Sequence, residues 1–214
     1  NLQCADFRYG AEQFGQIGLQ LRSIPTGVQI ISLTATTPIF SLTSNGYWTI
    51  QNNQQLTRLN GSVSSTDLAG LLASWKFPSA ISSKSTTLNF SLYWPGPAYS
   101  PKISLLNGNI VLAMQQGQLS QVSASQFKMD IGRLLSILSW QSIERRLKLD
   151  FSDLTTKGFS FNKVSATFTL QNGNAYTKDA TILAPVADVK MVGRIGLSTE
   201  DYALQLSVTP HMTS

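Results

Sequence analysis

The side chains that most often carry out catalysis are scarce in this 214-residue chain. It has one cysteine, Cys4, and one histidine, His211. A nucleophile–histidine–carboxylate arrangement would have to use that histidine, close to the last residue. A disulfide needs two cysteines, and zinc sites draw on several His or Cys ligands, so neither is expected. Asp150 and Asp153 form a conceivable carboxylate pair. Their odd separation puts them on opposite faces of a strand, and Ser152 beside Asp153 suits a turn or cap. The glycine patterns of phosphate-binding loops, dinucleotide-binding turns and nucleophile elbows are absent. No enzyme activity, cofactor or metal is expected.

The formal net charge is +5 and the pI about 9.4. The positive charges are scattered. The one local cluster, Arg145, Arg146 and Lys148, has Glu144 and Asp150 beside it. No basic surface interleaved with aromatic residues stands out, so nucleic acid is not an expected partner. Weak attraction to an anionic membrane surface is a second reading of the charge. Charged residues make up only 13%, against roughly 25% in an average soluble domain. Hydroxyls replace them, with 27 serines and 19 threonines. A hydrophobic share of 42% argues against disorder. No apolar run reaches membrane-spanning length, and the first residues lack the pattern of a secretion signal. The chain therefore reads as a fragment of a longer protein whose targeting signals lie elsewhere.

The elements that must position any site are mostly strands. Period-two alternation is clearest in Thr87–Trp94, where Leu88, Phe90, Leu92 and Trp94 share one face. It recurs in Asn109–Gln115, Arg146–Phe151 and Ala203–Val208. Weaker strands are expected at Gly15–Arg22, Val28–Thr34, Ile39–Thr43, Tyr47–Gln51, Leu56–Ser62, Phe159–Leu170, Ala175–Leu183 and Val186–Ile195. Asn45-Gly46, Asn60-Gly61, Asn107-Gly108 and Asn172-Gly173 read as hairpin turns, with a bulge or crossing point as the alternative for Asn107-Gly108. Two segments read as helix. Thr66–Phe77 is capped by Thr66 or Asp67 and stopped by Pro78, and Asp130–Ile143 is apolar around most of its circumference. Pro95, Pro97 and Pro101 mark a rigid loop or a hinge. A dozen strands, each with one apolar face, can be buried in a sandwich, a closed barrel or a curled sheet. Composition alone leaves these open.

The block from Gly132 to Phe161 carries a more specific pattern. Arg133, Leu134, Leu135 and Leu138 lead to Arg145, Arg146, Leu147, Leu149, Asp150, Phe151, Ser152, Asp153 and Leu154. Lys157, Gly158, Phe159 and Phe161 follow. Asn172-Gly173, Pro185, Gly193-Arg194, Asp201-Tyr202 and Val208-Thr209-Pro210 continue in the same order. This resembles the C-terminal periplasmic region of the AsmA-like family of Gram-negative envelope proteins, most specifically over about residues 57–210. Glu144 stands where a proline is common, and Trp140 and Gln141 replace smaller or aliphatic residues.

The resemblance implies a mostly β fold: a curled, largely antiparallel sheet forming an elongated hydrophobic groove or sandwich, with two short apolar helices. It implies a single domain over residues 1–214, with a loose subdivision near 95–101. It implies a periplasmic location within a parent protein anchored in the inner membrane. The function implied is binding and conducting phospholipid acyl chains between inner and outer membranes, in support of the outer-membrane barrier. The partners are phospholipids, with both membranes reached through parts of the parent outside this chain. A closed-core envelope scaffold, whose strand edges pair with a protein partner, is the alternative. The groove candidates are Leu88, Phe90, Leu92, Ile110, Leu112, Met114, Leu147, Leu149, Phe151, Phe159, Phe161, Leu204 and Leu206. Leu134, Leu135, Leu138 and Trp140 are candidates for a helix that caps it.

Overall fold

A computed structural model describes residues 1–9, 12–77, 80–120, 159–199 and 201–211. Among the described residues eleven strands run in sequence: β1 (Leu2–Tyr9), β2 (Glu12–Ile24), β3 (Gly27–Thr37), β4 (Phe40–Gln51), β5 (Gln54–Ser65), β6 (Ile81–Pro95), β7 (Asn107–Leu119), β8 (Phe159–Gln171), β9 (Asn174–Leu183), β10 (Ala187–Gly196) and β11 (Asp201–Pro210). Helix α1 (Leu68–Ser74) lies between β5 and β6, and a 3-10 turn (Ile103–Leu105) between β6 and β7. Every strand pairs antiparallel with the next, so the sheet order is the chain order. β1 and β11 do not pair with each other, and the sheet is not closed. The expected helix Asp130–Ile143, strand Arg146–Phe151, basic cluster and Asp150/Asp153 pair lie outside the described residues.

Turn chemistry accounts for the connections. Asn172 and Gly173 have φ of 48° and 73° and join β8 to β9, as expected of a hairpin turn. Asn52 and Asn53, at φ 49° and 62°, do the same between β4 and β5. Asn45-Gly46 and Asn60-Gly61 are not turns. They lie inside β4 and β5, with Asn45 opposite Asn60, so the two strands expected at Ile39–Thr43 and Tyr47–Gln51 are one. Glycine is needed at 61 for space: a Cβ there would stand 2.6 Å from Cζ of Phe90, the residue opposite. Asn107-Gly108 opens β7. β1 escapes the periodicity reading because its register shifts between Cys4 and Phe7, which breaks the period of two around Asp6.

The helix expected over Thr66–Phe77 forms over the shorter span Leu68–Ser74. The Asp67 carboxylate accepts the Gly70 N–H at 3.0 Å and caps the first turn. The helix ends before Pro78: Lys76 has φ 60°, and the Phe77 N–H returns to the Leu72 carbonyl at 2.9 Å. Asp67→Ala should lower stability by about 1 kcal/mol. A shifted urea midpoint with an unchanged m-value would show it, and Asp67→Asn should keep most of the loss from appearing.

The proline loop after β6 is pinned to the sheet. The Trp94 indole N–H donates to the Pro97 carbonyl at 3.0 Å, and the Thr57 hydroxyl donates to the Gly96 carbonyl at 2.8 Å. The flanking strands β6 and β7 pair directly, from Ile81 with Leu119 to Tyr93 with Asn107.

Candidate functional site: an apolar sheet face

Between the register shifts, the inward residues of paired strands align into rows that cross the sheet. One row runs Ile17, Ala35, Leu42, Val63, Leu88, Leu112, Ala166. The next runs Leu19, Leu33, Ser44, Gly61, Phe90, Ile110, Phe168. A third passes through Phe40, Ser65, Thr86, Met114, Val164, Ile182, Val189 and Val208. These rows hold no charged side chain. The opposite face is amide- and hydroxyl-rich, with Asn45, Asn60, Ser91, Asn109 and Thr169 in one row. Alternation of side chains about the pleat produces this division.

The structure places ten sequence candidates on the apolar side. Leu88 pairs directly with Leu112, and Phe90 with Ile110. Leu92 lies opposite Gly108, Met114 opposite Val164, Phe159 opposite Leu119, and Phe161 opposite Gly117. Leu204 and Leu206 stand opposite Gly193 and Met191. Met114, Phe159 and Phe161 are buried, whereas Leu88, Phe90, Leu92, Ile110, Leu112, Leu204 and Leu206 are half-buried. Leu134, Leu135, Leu138, Trp140, Leu147, Leu149 and Phe151 lie outside the described residues.

Two features were missed. β2 to β5 extend the rows with Ile17, Leu33, Leu42 and Val63. Those residues alternate too, but serines and threonines dilute their pattern. The helix on the apolar face among the described residues is α1. Its Leu72 packs with Ile81, Met114 and Phe161, and its Leu71 packs with Ala35 and Phe40. Just after α1, Trp75 stacks on Phe14 at 5.7 Å between centroids and meets Phe40 edge-on at 5.2 Å. Among the described residues the Trp75 indole nitrogen and the Thr86 hydroxyl are buried without a hydrogen-bond partner, and such groups are costly to leave unpaired.

The reactive types do not converge. Cys4 is on β1, at one edge of the sheet, and His211 follows β11 at the other. The His211 ring contacts Asp188 at 3.2 Å and the Pro185 carbonyl at 3.2 Å. Among the described residues no group of three His, Cys, Asp or Glu could hold a metal, and no helix is long and apolar enough to cross a membrane.

The perturbed carboxylates stabilise turns and bulges instead. Asp179 accepts the Thr167 backbone N–H at 2.8 Å where β8 and β9 slip register, and this bond holds its pKa down. Asp201 binds Arg194 at 2.6 Å and also Thr199, and its pKa falls to about 2, chiefly through the Arg194 hydrogen bond. A depressed carboxylate pKa stabilises the fold above the unfolded-state value, 3.8, and loses that contribution as pH falls towards about 2. Asp201→Asn should therefore flatten the acid limb of stability over that window. Urea midpoints measured across it would decide the matter, and an unchanged acid slope would contradict the assignment.

The family model described as YhdP protein matches residues 1–214. The chain is 22% identical over 213 residues to the intermembrane phospholipid transporter YhdP of Escherichia coli strain K12. That alignment covers 100% of the chain but 16% of the relative. No solved structure matches the chain.

Proposed function

Because the chain belongs to the YhdP family, we propose that it is a length of a periplasmic body that conducts phospholipids between the inner and outer membranes, without enzymatic chemistry. The apolar rows are the acyl-chain path. The observation that carries this reading is their continuity: two cross from β2 to β8 and the third from β4 to β11, with no charged residue. Each buried CH₂ is worth about 0.8 kcal/mol, so an acyl chain gains along the whole path. No position on it need hold the chain in a deep minimum. The relative is named an intermembrane phospholipid transporter, which fits an apolar track with a polar, weakly charged exterior. Helix α1 caps part of the track. Among the described residues β1 and β11 each leave an edge unpaired, and a protein partner would bind there by strand addition.

A vesicle assay tests the proposal. Phospholipid with a pyrene-labelled acyl chain gives excimer emission when crowded in a vesicle. Extraction by the chain in stoichiometric amount should convert excimer to monomer emission. Unchanged emission would oppose the reading.

A further inference from the structure

Resting on the phospholipid reading above, the geometry points to which long border of the apolar face carries the head groups. It is the border made by the β2–β3, β4–β5, β8–β9 and β10–β11 turns and the loop 96–106. Five of the six tyrosines stand in that half of the sheet. Tyr47 and Tyr93 lie towards the ends of β4 and β6, Tyr99 lies in the loop, and Tyr176 and Tyr202 lie at the starts of β9 and β11. The sixth, Tyr9, ends β1 at the other border. All five are exposed, Tyr99 most of all at 79%. They straddle the border: Tyr47 and Tyr93 are on the outer face, while Tyr99 meets the inward Trp48 edge-on at 5.6 Å. A phenol has an apolar body and a polar tip, the combination favoured where acyl chains meet water.

The charges of the two borders differ as well. Arg58 sits in register between Tyr47 and Tyr93, its guanidinium 5.2 Å from the Tyr93 ring centroid. Arg22, Arg58 and Lys102 are exposed, and among the described residues none has an acid within ion-pair distance. The described acid at this border, Asp201, is held by Arg194. The opposite border also exposes Lys76, Lys84 and Lys163, but it carries more of the described acids, Asp6, Asp67 and Asp188, with Asp6 on Arg8 at 2.9 Å. A lipid phosphodiester is an anion with strong acceptor oxygens, which guanidinium and ammonium groups bind. The tyrosine border therefore offers unneutralised cations and phenol hydroxyls to the phosphate while the acyl chains lie on the rows inside it.

Two photolabelled phosphatidylethanolamines test this, one with a diazirine on the head-group amine and one with it at the acyl terminus. The chain is equilibrated with vesicles of each, irradiated, and the adducts mapped by peptide mass spectrometry. The acyl label is expected on β6 and β7, and the head-group label on residues 52–58 and 96–106 in preference to 66–84 and 184–188. Arg58→Glu with Lys102→Glu should lower head-group adducts about fivefold, the scale of exposed charge contacts, and leave acyl adducts in place. Head-group adducts spread equally over both borders, or gathered at the other one, would overturn the inference while acyl adducts keep the phospholipid reading. Absence of acyl adducts on the apolar face would overturn that reading and this inference with it.

Discussion

Alanine at Phe161 should lower the unfolding free energy by about 3–5 kcal/mol. The ring is 2% exposed and lies over Gly117, where a Cβ would come within 2.3 Å of it. Because residue 117 has no side chain, nothing on that side can move in to refill the space. Met114, Val164, Val189 and Leu72 of α1 share the same cluster and would all lose contact area. A typical domain is stable by about 5–15 kcal/mol, so this one substitution removes a large part of the margin. Val111→Ala is the control. Val111 lies on the outer face at 46% exposure, and its loss should cost within about 0.5 kcal/mol. Similar urea midpoints for the two variants would contradict the assignment of the faces.

Aspartate at Leu112 should block acyl-chain passage while leaving the chain folded. Leu112 is half-buried and central, with Leu88 on one side and Ala166 on the other in an uncharged row. A carboxylate in a hydrocarbon path costs about 3 kcal/mol, on the order of a hundredfold in rate. Partial exposure lets the new carboxylate reach water, so the structural cost is smaller than for a buried position. Leu112→Ala removes apolar area without adding charge and should retain most transfer. Asn89→Asp adds the same charge on the exposed outer face and should have no effect. Pyrene-lipid transfer by the three variants separates path from charge. Equal transfer by Leu112→Asp and Asn89→Asp would remove Leu112 from the path.

Much of this face was legible in the sequence where one side of a strand is uniformly apolar. Leu88, Phe90 and Leu92 and their partners Ile110 and Leu112 show it, because a half-buried strand must alternate. The limits have specific causes. Gly46 and Gly61 serve close approach inside strands, Gly61 beneath the Phe90 ring, yet an Asn-Gly pair looks the same in sequence whether it bends the chain or makes room. The register shift around Asp6 hid β1. β6, β7 and β8 also bring Ile81 and Ser83, Gly117 and Leu119, and Phe159 and Phe161 to the same side as Thr86, Met114 and Val164, across odd separations. The shared step, with Gln116 at φ 50°, defeats a strict period of two. That α1 packs against the apolar side follows from contacts between distant segments, Leu71 with Ala35 and Leu72 with Phe161, which local periodicity does not encode. The tyrosine border is likewise a product of topology: residues 47, 93, 99, 176 and 202 meet at one side only because consecutive strands reverse direction.

The central claim, that the apolar face binds acyl chains, is tested most directly by native mass spectrometry with lipid extraction. The chain would be purified from a bacterial periplasm without detergent. Co-purifying phospholipid is expected, and it should be displaced in Phe90→Asp and Leu112→Asp. A well-folded chain free of lipid would contradict the claim and favour a closed core.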